Sequence, residues 1–286
     1  MKTNNDPLRY PLAIFFILTY AISWTIWLSM IVLSLDILTP LGRTLNIIAI
    51  FGPTLAGLVL TAIRHGSSSV GQLIGRLWRP QPRPTRIGVA LLLPLAIMVA
   101  AAALAFLIGD LLLSTAAAGW LLLLGEFVRI FFFGGPLGEE IGWRGYALPR
   151  LLRDHSPMQA SVLLGLVWGG WHAPIYAIVG TGQNEMLRSG GSFPFLFIAF
   201  VVWTIGLSIL FTWLYKLAQG NLLVVILFHA AVNTAVFLPA FLGVQSGMIT
   251  LLNAGLTWVA AVLVSRTRLF RQEAGTGHSP HFGRSR

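Results

Sequence analysis

Long apolar runs separated by short polar stretches dominate this chain. About eight runs approach the roughly 20 residues that a helix needs to cross a hydrocarbon core about 30 Å thick. They cover 11–35, 45–63, 87–108, 120–149, 157–179, 195–215, 222–242 and 248–264. The pattern predicts an all-α fold, a polytopic membrane bundle of about eight transmembrane helices. The first run is too long for the apolar region of a signal peptide, and no small-residue cleavage site follows it. It reads as a retained anchor.

The basic residues give this pattern a direction. Lys2 and Arg9, then Arg64, Arg76, Arg79, Arg83 and Arg86, then Arg144, Arg150 and Arg153, then Lys216, and finally Arg266, Arg268, Arg271, Arg284 and Arg286 all fall on one side of the predicted bundle. The other side has only Arg43 and Arg188, and Arg129 lies within a run. By the positive-inside rule both termini are cytoplasmic. Residues 1–265 then form a single transmembrane domain with its chemistry in about 119–240, and 266–286 a flexible basic tail. The connection 64–86 is rich in Ser, Gly and Pro, with a short interfacial helix expected around 70–78. Residues 180–194 read as a polar outer loop.

Composition narrows the function classes. The 286 residues are 56% hydrophobic and 10% charged, with no cysteine, against about 25% charged in a typical soluble domain. Mean hydropathy is +0.79. These values exclude a soluble globular enzyme, a disordered chain and a disulfide scaffold. Without cysteine there is no thiolate nucleophile and no Cys-ligated zinc. The net charge of +10 needs no nucleic acid, because the basic residues face anionic lipid. The expected localisation is integral membrane and multi-pass, in the plasma membrane if the source is prokaryotic.

Ionisable side chains inside a span cost about 2.5–3.5 kcal/mol each on insertion scales and mark function by default. Here they are Glu126, Arg129, Glu139, Glu140, Arg144, His172 and His229, joined by Asn233. Glu126 and Arg129, three apart, read as a packing ion pair or an outer-leaflet contact. Glu140 and Arg144 are four apart and share a helix face. Glu139 is rotated by about 100° from Glu140 and can point elsewhere. His229 and Asn233, again four apart, can reach one point. His172 lies in Trp168-Gly169-Gly170-Trp171-His172-Ala173-Pro174, where Pro174 weakens the helical ladder. Gly134-Gly135-Pro136, just before the carboxylates, is a plausible break in an overlong fourth span. At about 1.5 Å per residue, Glu139, His172 and His229 can share one layer. Two carboxylates, an Arg, two His and an Asn converging from three helices are hard to explain as packing.

These residues resemble the CPBP family of CAAX proteases and bacteriocin-processing enzymes, also called the type II CAAX prenyl endopeptidase or Abi family. The EExxxR motif stands as Glu139-Glu140-Ile141-Gly142-Trp143-Arg144, followed by Gly145-Tyr146. The FxxxH motif has Trp168 in place of its Phe, a conservative change, and ends on His172. The HxxxN motif is His229-Ala230-Ala231-Val232-Asn233. The resemblance covers about 119–237 and implies an intramembrane endopeptidase with an eight-helix core. It implies Glu139 as the catalytic glutamate, His172 as its partner in activating water, and His229 and Asn233 as oxyanion-stabilising groups. Glu140 and Arg144 match supporting positions.

The chemistry of the residue types agrees. Peptide hydrolysis needs a nucleophilic water, a base and donors for the developing oxyanion. Glu139 stripped of water is a competent base, Asn233 supplies an uncharged donor, and Glu140 paired with Arg144 is free for another role. Two chemistries stay open. Either water is held by Glu139 and His172 without a resident metal, or Glu139, His172 and His229 form a three-ligand zinc site with an open fourth position. HEXXH is absent. The expected partners are a peptide or protein substrate, prenylated or not, and membrane lipids. Two other functions fit a bundle of this kind. One is a non-proteolytic bacteriocin-immunity or partner-binding protein. The other is a transporter, against which the missing internal repeat argues.

Overall fold

The structure, a computed structural model, describes residues 11–113, 120–241 and 243–272. The fold is all-α. Among the described residues the only extended pairing joins β1 (Leu112–Leu113) antiparallel to β2 (Val244–Gln245). Four helices contain apolar stretches long enough to cross a membrane: α1 (Pro11–Val32), α5 (Pro84–Leu107), α11 (Phe193–Leu217) and α12 (Leu222–Phe241). Counting each bent pair as one span brings the total to six. The remaining long apolar helix, α13 (Ile249–Ser265), has 17 residues.

Breaks occur where the sequence withdraws hydrogen-bond donors or side chains. The run expected as one helix over 45–63 is α2 (Pro40–Ile50) and α3 (Gly52–His65), bent by 42° where Gly52-Pro53 interrupts the ladder. The fourth run is divided more finely. Helix α6 (Trp120–Phe133) stops at Gly134-Gly135, and Gly135 turns the chain at φ 117°. Helix α7 (Pro136–Glu140) restarts it, a π-helical stretch follows over Ile141–Ala147, and α8 (Leu148–Asp154) ends it. The fifth run, expected to reach residue 179, ends as helix α9 (Pro157–Trp171) at its C-cap His172. A 3-10 turn over Ala173–Ala177 takes over, because Pro174 cannot continue the α-helical ladder. The basic connection contains helix α4 (Ser67–Gly75), and the polar stretch 180–194 contains α10 (Gly182–Arg188). Part of the expected tail is ordered: α14 (Arg268–Arg271) buries Phe270, whose carbonyl accepts from Lys216 Nζ at 2.8 Å. Expectations for Lys2, Arg9 and 273–286 concern residues outside those described.

Helix α9, which carries Trp168 and His172, is fixed on two sides. Gly165 and Gly169, four apart, face α11: a Cβ on Gly165 would lie 2.7 Å from the Ile205 Cα, and one on Gly169 2.5 Å from Thr204 Oγ1. Small residues at this spacing let two membrane helices meet backbone to backbone. From α1, Tyr20 Oη donates to the Val167 carbonyl at 2.6 Å and Trp24 Nε1 to the Trp171 carbonyl at 2.9 Å. The Trp171 carbonyl belongs to the last turn, whose acceptors lack helical partners. Buried aromatic rings continue the link: Trp171 lies 4.7 Å from Trp27 and 6.0 Å from Trp143, and Phe15 contacts both Trp143 and Tyr146.

The π-helical stretch is pressed against α3. A Cβ on Gly142 would fall 2.2 Å from the carbonyl oxygen of Pro53. Gly142→Ala is therefore expected to cost about 3 kcal/mol, the upper range for forced overpacking. Gly88→Ala, in open space within α5, should be neutral or slightly stabilising. Melting of the two detergent-extracted variants side by side checks the contrast.

Candidate active site

The break at Gly134-Gly135 sets the direction of both carboxylates. Glu139 and Glu140 follow it on the short helix α7, both buried, and their side chains diverge. Glu139 Oε2 accepts from Trp168 Nε1 at 2.6 Å. Its Oε1 lies against Gly135, where an added Cβ would be 2.5 Å from it and 3.8 Å from Asn233 Nδ2. Gly135 thus turns the chain and leaves room for this oxygen beside the Asn233 amide. That amide donates to the Gly134 carbonyl at 3.2 Å, which keeps it at the mouth of the break.

Glu140 makes a separate group. Its Oε1 accepts from Arg144 Nη1 at 2.8 Å and lies 2.7 Å from His229 Nδ1. Glu140 and Arg144 are both 0% exposed. The Arg144 guanidinium is covered by the rings of Phe211 and Trp168, at 3.9 and 4.6 Å. In the protein, Arg144 Nε and Nη2 and Glu140 Oε2 have no other hydrogen-bond partner among the described residues. The arrangement cancels two buried charges by pairing them, as burial demands. It also fixes His229: with Nδ1 engaged by a carboxylate, its Nε2 is the ring atom left for other contacts.

His172 is fixed differently. Its Nδ1 lies 2.7 Å from the Trp168 carbonyl. A carbonyl only accepts, so Nδ1 carries the proton and Nε2 of the neutral ring has a free lone pair. The rings of Trp171, Phe200 and Trp168 surround it at 4.8, 5.1 and 5.6 Å. The Trp168 ring also lies 5.5 Å from His229. Trp168 therefore touches Glu139, both histidines and Arg144.

The residues singled out in the sequence motifs are brought into this region. His229 is tied to Glu140, and Asn233 lies by Gly134 and Gly135, near Glu139. The sequence left open a zinc set of Glu139, His172 and His229. Among the described residues no three His, Asp or Glu side chains come together as metal ligands. Glu126 and Arg129 pair with each other on α6, with Arg129 54% exposed.

Two contributions were not read from the sequence. In the sequence Trp168 reads as a conservative replacement for Phe, although its indole N–H is a donor that a neighbouring carboxylate can use. Arg76, the C-cap of α4, donates to the Gly145 carbonyl at 2.8 Å and to Tyr215 Oη at 2.6 Å, tying the basic connection to the π-helical stretch and α11. Nothing in its spacing marked it out among the other arginines of that loop.

Residues 120–235 match the family model of the Rce1-like type II CAAX prenyl endopeptidases, a stretch that contains every candidate residue above. A protein named CAAX prenyl protease 2 from Methanococcus maripaludis is 22% identical over 229 residues, 79% of this chain and 83% of the relative. A buried glutamate pair and His229, with the half-buried His172 and Asn233, in the order of that family's motifs, agree with the match, and together they support reading the chain as a protease of the type II CAAX prenyl endopeptidase (CPBP) kind, an integral membrane hydrolase of peptide bonds.

Proposed function

We propose that this protease cleaves peptide ends presented at the cytoplasmic side of the membrane, using Glu139 and His172 to activate a water and Asn233 with His229 to stabilise the oxyanion. The observation that carries the reading is the division between the two buried carboxylates. Glu140 is neutralised by Arg144 and His229, whereas Glu139 keeps one oxygen free beside Asn233. In this reading Glu139 Oε1 and His172 Nε2 hold the attacking water between them. Glu139 takes its proton and passes it to the leaving amine. The second N–H of Asn233 Nδ2, and Nε2–H of His229 when that ring is protonated, face the oxygen on which negative charge develops. The cytoplasmic orientation follows from the distribution of Arg and Lys between the connections. The name of the archaeal relative favours a prenylated C-terminal peptide as the substrate class.

The test uses purified protein and a peptide library carrying or lacking a C-terminal isoprenoid thioether, in water enriched in ¹⁸O. The expected result is cleavage of prenylated peptides with a single ¹⁸O in the new carboxylate. Glu139→Gln protein should cleave none. Binding without cleavage by the wild type would favour the immunity or partner-binding alternative. Because no three His, Asp or Glu side chains come together among the described residues, a strong chelator should leave the rate within about twofold of its starting value, and a stoichiometric metal found by elemental analysis would reverse this assignment.

A further inference from the structure

We propose that Trp168 is the positioning residue of this site, holding Glu139 through its indole and His172 through its carbonyl so that both present their working atoms together. The proposal rests on the reading in which Glu139 is the base. A glutamate carboxylate rotates about a broad, two-fold torsion, and its two oxygens are equivalent until something distinguishes them. Here the distinction is made by one donor. Trp168 Nε1, 2.6 Å from Oε2, occupies that oxygen and leaves Oε1 at Gly135 beside Asn233. A hydrogen bond to an ionised acceptor is short and directional, so it resists rotation of the group.

The same residue sets the second catalytic group. The Trp168 carbonyl accepts from His172 Nδ1 at 2.7 Å, which places the lone pair on Nε2. Trp168 can act as a fixed reference because its surroundings are fixed. It is buried, with its ring edge-on to Phe211 and the Arg144 guanidinium over its face. Its neighbour Gly169 is in close approach to α11, and α1 holds the carbonyls of Val167 and Trp171. A phenylalanine at this position would keep the ring packing and the main-chain bond to His172. It would lack only the N–H that chooses between the oxygens of Glu139. The indole therefore adds to this chain a contact that the Phe of the FxxxH pattern cannot make.

The deciding variant is Trp168→Phe. The expected result is a fall in kcat of about tenfold with KM within about twofold, because loss of a hydrogen bond to a charged group acts on the reacting geometry and not on substrate binding. A second measurement does not depend on that variant's stability. In protein labelled with ¹⁵N-tryptophan, the indole N–H resonance of Trp168, which makes the shortest indole hydrogen bond among the described residues at 2.6 Å, should shift upfield in Glu139→Gln, where an amide replaces the carboxylate acceptor. Wild-type kcat in Trp168→Phe, with Glu139→Gln inactive, would overturn the positioning role and leave the protease mechanism standing. An indole spectrum unchanged by Glu139→Gln would overturn it as well. Normal cleavage by Glu139→Gln would instead remove the base itself, and the proposal with it.

Discussion

Glu140→Ala is expected to lose folded protein as well as activity. The substitution leaves Arg144, fully buried between aromatic rings, without its hydrogen-bonded counter-charge, and frees His229 Nδ1. Removing one partner of a buried ion pair costs about 3–5 kcal/mol, a large part of the roughly 5–15 kcal/mol by which a typical domain is stable. The measurement is the yield and melting temperature of detergent-extracted protein. The double variant Glu140→Leu/Arg144→Met separates charge from packing, since two apolar residues of similar volume remove both ions together. It should restore accumulation. It should not restore cleavage, because His229 then has no partner at Nδ1. Full recovery of cleavage by the double variant would show that Glu140 serves the fold alone.

Glu139→Gln should give the opposite phenotype, with folding intact and chemistry lost. The amide oxygen of Gln can still accept from Trp168, and an uncharged side chain is cheaper to bury than a carboxylate. Melting is therefore expected at or above the wild-type temperature. A Gln cannot take the proton of the attacking water, and loss of a general base typically lowers the rate by about 10²–10⁴-fold. Single-turnover cleavage checks this. Retention of more than about a tenth of the wild-type rate would remove Glu139 from the role of base. With folding kept and cleavage lost, Glu139 is the chemical group and its neighbour Glu140 the structural one.

The arrangement around Glu140 was readable because both of its determinants are local in sequence. A spacing of four brought Glu140 to Arg144, and Gly134-Gly135-Pro136 announced the break before them. The ends of the helices were less legible. The run over 157–179 looks continuous in hydropathy, yet His172 sits at a helix end, because Pro174 outweighs apolar character that reads the same in a helix and in a 3-10 turn. The π-helical stretch over 141–147 left no periodic signal, since seven residues are too few to distinguish one helical pitch from another. The tie between His229 and Glu140, 89 residues apart, depends on how α12 rotates against α7, which no local pattern specifies. The role of Trp168 was hidden for a different reason: the FxxxH pattern specifies an aromatic ring at this position, and the indole N–H that reaches Glu139 is the part of the side chain the pattern does not specify.

The local character of the Glu140–Arg144 contact also bears on how the chain is made. Synthesis runs from the N-terminus, so the fourth apolar run reaches the lipid while α12 is still to be translated. An unpaired acid and an unpaired base at that stage would each carry an insertion cost of about 2.5–3.5 kcal/mol. With the two on one segment, a single turn apart, the ribosome delivers them already able to cancel one another. His229 then arrives late, at a carboxylate whose charge has been settled for it in advance. The nascent half-protein can wait in the bilayer for its remaining helices without exposing a bare ion to lipid.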